Sequence, residues 1–137
     1  MLAFLVSALV IALLIQHFVV RGGHILAPGP SDRLKVYAAG SGEDMMSQPE
    51  TAAEIIALSG KKAPRVLYIG TATYDDSKSQ HHQTMRFVER GCSVHALKVA
   101  DDAPSAHALH AMFSAADVIL VSGGNTLYAV DRWRELG

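Results

Sequence analysis

From Leu34 onward, short apolar runs alternate with longer amphipathic ones, and that rhythm admits few folds. The strand candidates are "LKVYAAG" (34–40), "RVLYIGTAT" (65–73), "SVHALKVA" (93–100) and "VILV" (118–121). The helix candidates are "PETAAEIIALSG" (49–60), "SQHHQTMRFVERG" (79–91), "DDAPSAHALHAMFSAAD" (101–117) and "NTLYAVDRWREL" (125–136). Strands alternating with helices of this length predict βαβ units, hence an α/β fold with a parallel sheet. Its crossovers should be right-handed and its helices should cover both faces. Ala52, Ala53, Ile55, Ile56 and Ala57 fall on one broad face of the first helix, and His81, Met85 and Val88 share one stripe of the second. The third helix is expected to turn Ala106, Leu109, Ala111, Met112 and Phe113 inward. "SGEDMMSQPE" reads as a loop.

The chain of 137 residues has room for one domain at most. Three segments are expected: a hydrophobic stretch at 1–20, a Gly/Pro linker at 21–33, and the α/β domain at 34–137. "MLAFLVSALVIALLIQHFVV" carries no charged side chain and would span about 30 Å as a helix, the thickness of a bilayer core. The first reading is an extra N-terminal helix acting as an uncleaved membrane anchor. A signal peptide and a buried extension are the alternatives. The anchor or signal would place the chain at a membrane or in the secretory pathway, with the cytoplasm as the other location. The formal net charge of −1, without a basic patch, argues against a nucleic-acid partner. The single cysteine, Cys92, excludes an intramolecular disulfide and a cysteine-rich zinc site. It reads as a small core hydrophobe.

In open α/β sheets the functional crevice lies beyond the carboxyl ends of the strands. Of the loops there, Ser122-Gly123-Gly124-Asn125 is the most suggestive. Gly124 leaves the backbone open to close approach, and the helix that follows offers unpaired N–H groups with Asn125 or Thr126 as its cap. The physics leaves two readings open: a tight βα turn, or a site for an anion or oxyanion. The loop matches neither GxxxxGK[ST] nor GxGxxG, and no cofactor is implied.

"VILVSGGNTLYAVDRWRELG" resembles the GGNT strand-to-helix signature of the dipeptidase E family, α-aspartyl dipeptidases related to cyanophycinase. "APRVLYIGTATYDD" and "TMRFVERGCSVHALKVADDAP" extend the likeness, which covers residues 34 to 137. The resemblance implies a class I glutamine-amidotransferase-like (flavodoxin-like) fold, cut here after about four strands. It also implies a serine peptidase for Asp-X dipeptides or related short peptides. The oxyanion-hole N–H then falls on Gly124, with Gly123, Asn125 and Thr126 shaping the substrate side of the turn.

The nucleophile elbow and the histidine of that family have no counterpart here. "GCSVH" (91–95) ends in His and runs from helix into strand, the reverse of an elbow. Ser41 and Ser122 read as loop and turn residues. His81 and His82 diverge by about 100° on a helix. His107 and His110 share a face but lack a third ligand, and His95 alternates with strand residues, so no metal site is expected. Asp75, Asp76, Asp101 and Asp102 read as solvated loop residues and helix caps. As given, the chain is expected to be a catalytically silent piece of a longer enzyme. The alternative is a non-catalytic α/β module holding a small anion at Gly123-Gly124-Asn125.

Overall fold

The computed structural model describes residues 34–137. The expected anchor at 1–20 and the linker at 21–33 lie outside the described residues. Among the described residues, no helix is long and apolar enough to cross a membrane. The chain divides into two units, Met1–Ala38 and Ala39–Gly137. Of the first, residues 34–38 are described; they form no strand, and Leu34 and Val36 are exposed. The expected strand at 34–40 is therefore corrected: alternating side chains do not make a strand without a ladder partner.

Within the second unit, β1 (Arg65–Ile69), β2 (Ser93–Leu97) and β3 (Val118–Val121) form a parallel sheet in the order β2-β1-β3. β1 is central, with Val66 opposite Val94 on one side and Val118 on the other. It is buried from Val66 to Ile69, as the unbroken apolar run of a central parallel strand requires. Around it stand α1 (Gly42–Met46), α2 (Pro49–Ser59), α3 (Ser77–Glu89), α4 (Ala106–Ala115) and α5 (Thr126–Leu136). The β1–α3–β2 and β2–α4–β3 crossovers run in opposite directions across the sheet. Right-handed connections of opposite direction place their helices on opposite faces.

One face buries Leu67, Ile69, Leu97 and Val99 beneath Leu109, Met112 and Phe113 of α4 and Trp133 and Leu136 of α5. Val66 and Tyr68 alternate to the other face, where α3 packs with Phe87 fully buried. Burying a Phe side chain contributes about 1.5–3 kcal/mol, so Phe87 anchors this layer. Cys92 lies at the same helix-to-strand junction, and burial pushes its thiol pKa up from its ordinary value, as expected of a core residue.

Several sequence expectations shift. The stripe His81, Met85, Val88 is not the inner face of α3: His81 and Val88 are exposed, and Gln83, Thr84 and Phe87 are buried. The hydroxyl of Thr84 donates to the Gln80 carbonyl at 2.8 Å, and Gln83 bonds across to Ser122, so polar residues occupy the inner face with partners. In α2 the buried set is Thr51, Ala52 and Ile55, while Ala53 and Ala57 are exposed. Five expected positions covered a wider arc than one contact strip uses. Leu109, Met112 and Phe113 of α4 do face the core, whereas Ala106 and Ala111 are exposed. The "SGEDMM" segment is not a plain loop but carries α1, preceded by Ser41. The second strand stops at Ile69, and Thr71–Thr73 winds into a 3₁₀ turn.

The ends of β1 and β3 opposite the candidate site are fastened by Asp117. Its Oδ2 accepts from the Arg65 backbone N–H at 2.9 Å and from Arg65 Nε at 3.2 Å. Its Oδ1 accepts from Lys61 Nζ at 2.7 Å and Arg65 Nη2 at 3.1 Å. The Asp117 N–H in turn donates to the Arg65 carbonyl at 2.8 Å. These donors hold the Asp117 carboxyl well below the usual carboxylate range. Replacing Asp117 by Asn should lower the unfolding free energy at pH 7 by about 1–2 kcal/mol, since Arg65 and Lys61 are half-exposed and screened. Because folding lowers this pKa, the contribution is intact above the unfolded carboxylate value of about 4 and is lost as pH falls through the folded value. Urea melts of wild type and Asp117→Asn should therefore differ at pH 7 and converge toward pH 2. A constant gap across that range would remove the ionic origin of the clamp.

Candidate oxyanion site

β3 ends at Val121, and the chain turns through Ser122, Gly123 and Gly124 into α5. The turn is fixed from below. Ser122 N–H donates to the Ile69 carbonyl at 3.0 Å, and Asn125 N–H donates to the Ala72 carbonyl at 2.8 Å. Ser122 Oγ donates to the Gly123 carbonyl at 2.9 Å and accepts from Gln83 Nε2 at 3.2 Å. Ser122 is 5% exposed, so its hydroxyl is spent on the turn.

Gly124 is demanded twice over. Its φ of +133° is a conformation that side chains rarely adopt. A Cβ built there would lie 2.4 Å from the Ala72 carbonyl oxygen and 3.3 Å from Thr73 Cγ2. The backbone of the 3₁₀ turn thus presses directly on Gly124, and the Asn125-to-Ala72 bond closes the contact. Among the described residues, the N–H groups of Gly123 and Gly124 donate to no protein acceptor. Both residues are exposed, so these donors stand at the surface beside the start of α5.

Asn125 caps α5: its Oδ1 accepts from Tyr128 N–H at 3.1 Å. Its Nδ2 donates to Tyr74 Oη at 2.7 Å. Both ends of the amide are thus committed within the protein, and Asn125 shapes the turn. Thr126 is the exposed first residue of α5.

Across from the glycines, the loop after β1 holds two consecutive left-handed residues, Tyr74 (φ 56°) and Asp75 (φ 53°). Each costs on the order of 1–2 kcal/mol relative to ordinary backbone. Asp75 is not the solvated loop residue expected from sequence. Its Oδ2 accepts from the N–H groups of Val99 and Ala100, each at 2.7 Å. Hydrogen bonds to a charged acceptor contribute about 1.5–3 kcal/mol apiece, enough to offset the strained pair. The Tyr74 and Tyr128 rings pack tilted, with centroids 4.6 Å apart. Tyr128 Oη donates to the Ala100 carbonyl at 2.9 Å, and Arg132 Nε to the Val99 carbonyl at 2.9 Å. Trp133 Nε1 donates to Thr71 Oγ1 at 3.0 Å. The exits of all three strands are thereby laced to α5.

The remaining sequence candidates lie elsewhere. Asp76 caps α3 through Ser79 N–H, which with its neighbours keeps its carboxyl below the ordinary value. Asp101 and Asp102 are exposed; only the Asp102 carbonyl is engaged, by Arg132 Nη2 at 3.0 Å. Ser41 Oγ donates to Asp44 beside α1. His81, His95, His107 and His110 are exposed, and no group of three metal-binding side chains forms among the described residues. Sequence reasoning placed Tyr74 in a candidate loop without a role for its side chain, and missed Tyr128, Trp133 and Gln83. Only Trp133, one turn beyond buried Ala129 on α5, left a periodic signal.

A family model described as peptidase family S51 matches residues 36–137. The chain belongs to peptidase family S51. No curated protein and no solved structure matches it. The match covers the β1-to-α5 region in full, including the Gly123-Gly124 turn, and agrees with the dipeptidase E and cyanophycinase type recognised from the GGNT segment. S51 membership suggests a serine-type hydrolase.

In this S51 chain Gly124→Ala should destabilise the fold by about 2–4 kcal/mol, because the methyl group meets the Ala72 carbonyl in a left-handed conformation. Gly123→Ala, with open space around its Cβ position, should cost less than about 1 kcal/mol. Thermal melts of the two variants give the comparison; equal losses would mean that the Ala72 contact does not constrain the turn.

Proposed function

We propose that this chain forms one wall of a serine-peptidase active site for short acidic peptides, of the Asp-X dipeptide kind. The observation that carries the reading is the Gly123-Gly124 turn, with two unclaimed N–H donors, in a chain of the S51 family. The Gly124 N–H is the oxyanion donor. An acyl-transfer transition state places negative charge on the former carbonyl oxygen, and a preset donor about 3 Å away stabilises it without reorganisation. Removing one such donor costs about 3–4 kcal/mol of barrier. Gly123 opens the approach, Asn125 holds the turn, and Thr126 begins the helix beside it. The three-stranded sheet fits within a flavodoxin-like domain of the class I glutamine-amidotransferase kind.

The chemistry would run by serine attack on the scissile carbonyl, formation of an acyl-enzyme and hydrolysis by water. No GxSxG elbow occurs in these 137 residues, and Ser122, the serine beside the donors, is buried and bonded at its Oγ. These residues alone are therefore a binding wall without a nucleophile. A second reading, a non-catalytic module that holds a small anion, rests on the same donors and differs only in never meeting a nucleophile.

The test is a titration of the 137-residue chain with Asp-Leu, followed both by calorimetry and by aspartate release. Saturable binding without release above background is the expected result. Absence of binding would contradict the wall. Release blocked by a serine-directed reagent would contradict the absence of a nucleophile.

A further inference from the structure

The dipeptide Val99-Ala100, just beyond β2, is gripped from two sides. Both of its N–H groups donate to Asp75 Oδ2, each at 2.7 Å. Both of its carbonyls accept from α5, Val99 from Arg132 Nε and Ala100 from Tyr128 Oη, each at 2.9 Å. Val99 and Ala100 are 1% and 5% exposed, so water does not replace a partner lost there. One buried dipeptide thus ties the loop after β1 to the helix after β3.

The same loop and helix also meet directly. Asp75 N–H donates to the Gly70 carbonyl at 3.1 Å, which closes the loop around Ala72. The Ala72 carbonyl accepts from Asn125 N–H at 2.8 Å and stands against the Cα of Gly124. The bonds therefore form a closed circuit. It runs from Val99-Ala100 to Asp75, through the 3₁₀ turn to Asn125, along the first turns of α5 to Tyr128 and Arg132, and back. In such a circuit each bond holds the ends of the next, so opening one makes the others easier to open. Asp75 is the one carboxylate in it. Its backbone is left-handed, as is that of Tyr74 before it, and strained backbone persists only while its surroundings hold it. Without the Asp75 carboxylate the loop is free to relax, and the Ala72 carbonyl moves with it.

We propose that Asp75 is a positioning residue for the Gly124 N–H, acting at a distance through Val99-Ala100 and the Ala72 carbonyl. Its functional meaning rests on the oxyanion reading above. Asp76, next in the chain, provides the contrast, because its carboxylate caps α3 and takes no part in the circuit.

Two measurements on the ¹⁵N-labelled 137-residue chain test this: amide hydrogen exchange, and a calorimetric titration with a phosphinic-acid analogue of Asp-Leu. The variants are Asp75→Asn, Tyr128→Phe and Asp76→Ala. Asp75→Asn keeps the shape but removes the charge, and Tyr128→Phe cuts the circuit on its other side while keeping the ring. Each of these two should speed exchange of the Asn125 amide at least about tenfold and leave the β1 amides of Leu67 and Tyr68 within about twofold. Asp76→Ala should leave Asn125 within about twofold. Asp75→Asn should also weaken the analogue about tenfold. Unchanged Asn125 exchange in Asp75→Asn would overturn the proposal, and so would equal acceleration of the β1 amides, which marks a loss of global stability alone. Analogue binding that wild type shows and Asp75→Asn retains in full would overturn it too, with the oxyanion reading intact. No binding of the analogue to wild type would overturn both.

Discussion

The close approach of Gly124 to the Ala72 carbonyl governs the carboxyl end of the sheet. At 2.4 Å from a would-be Cβ, that carbonyl admits no side chain, and the Asn125 N–H bond to the same oxygen locks the approach. Beside it the 3₁₀ turn ends at Thr73, Tyr74 and Asp75 take left-handed backbone, and Asn125 caps α5, which begins at Thr126. Strain in the first loop is offset by Asp75, whose carboxylate accepts from the Val99 and Ala100 N–H groups just beyond β2, so the strand exits are joined by hydrogen bonds. Among the described residues, the Gly123 and Gly124 N–H groups at this rim have no protein acceptor.

The two ends of the sheet are held by different physics. At the far end Asp117 gathers Arg65 and Lys61 in a partly solvated ion cluster, which depends on pH. At the rim, neutral backbone donors, an aromatic pair and one clamped carboxylate do the same work in a small volume. Preorganisation of this kind is what a site for developing negative charge requires, since donors that must move to reach the charge lose much of their effect.

The α/β class and the parallel order were legible in the alternation of runs, because a central parallel strand such as Val66–Ile69 must be apolar throughout. The strand at 34–40 was misjudged: its alternation resembles a strand, but pairing is a tertiary property and no ladder forms among the described residues. The inner face of α3 was misjudged for the opposite reason. Gln83 and Thr84 are polar, and nothing local says that Gln83 has Ser122 to meet from 39 residues away. At the site, Gly124 and Asn125 could be read from the Gly-Gly-Asn-Thr order alone. Tyr74 and the Asp75 clamp could not, since their meaning depends on Asn125 and Val99 arriving from other parts of the chain.

As proposed above, the Gly124 N–H is a preset donor for an oxyanion. Amide NMR of the ¹⁵N-labelled chain, titrated with a tetrahedral phosphinic-acid analogue of Asp-Leu, tests it most directly. The Gly124 amide proton should move downfield and saturate with the ligand, with Gly123 following and the Asn125 amide, already bonded to Ala72, shifting least. Saturable binding that leaves the Gly124 amide unmoved would contradict the claim.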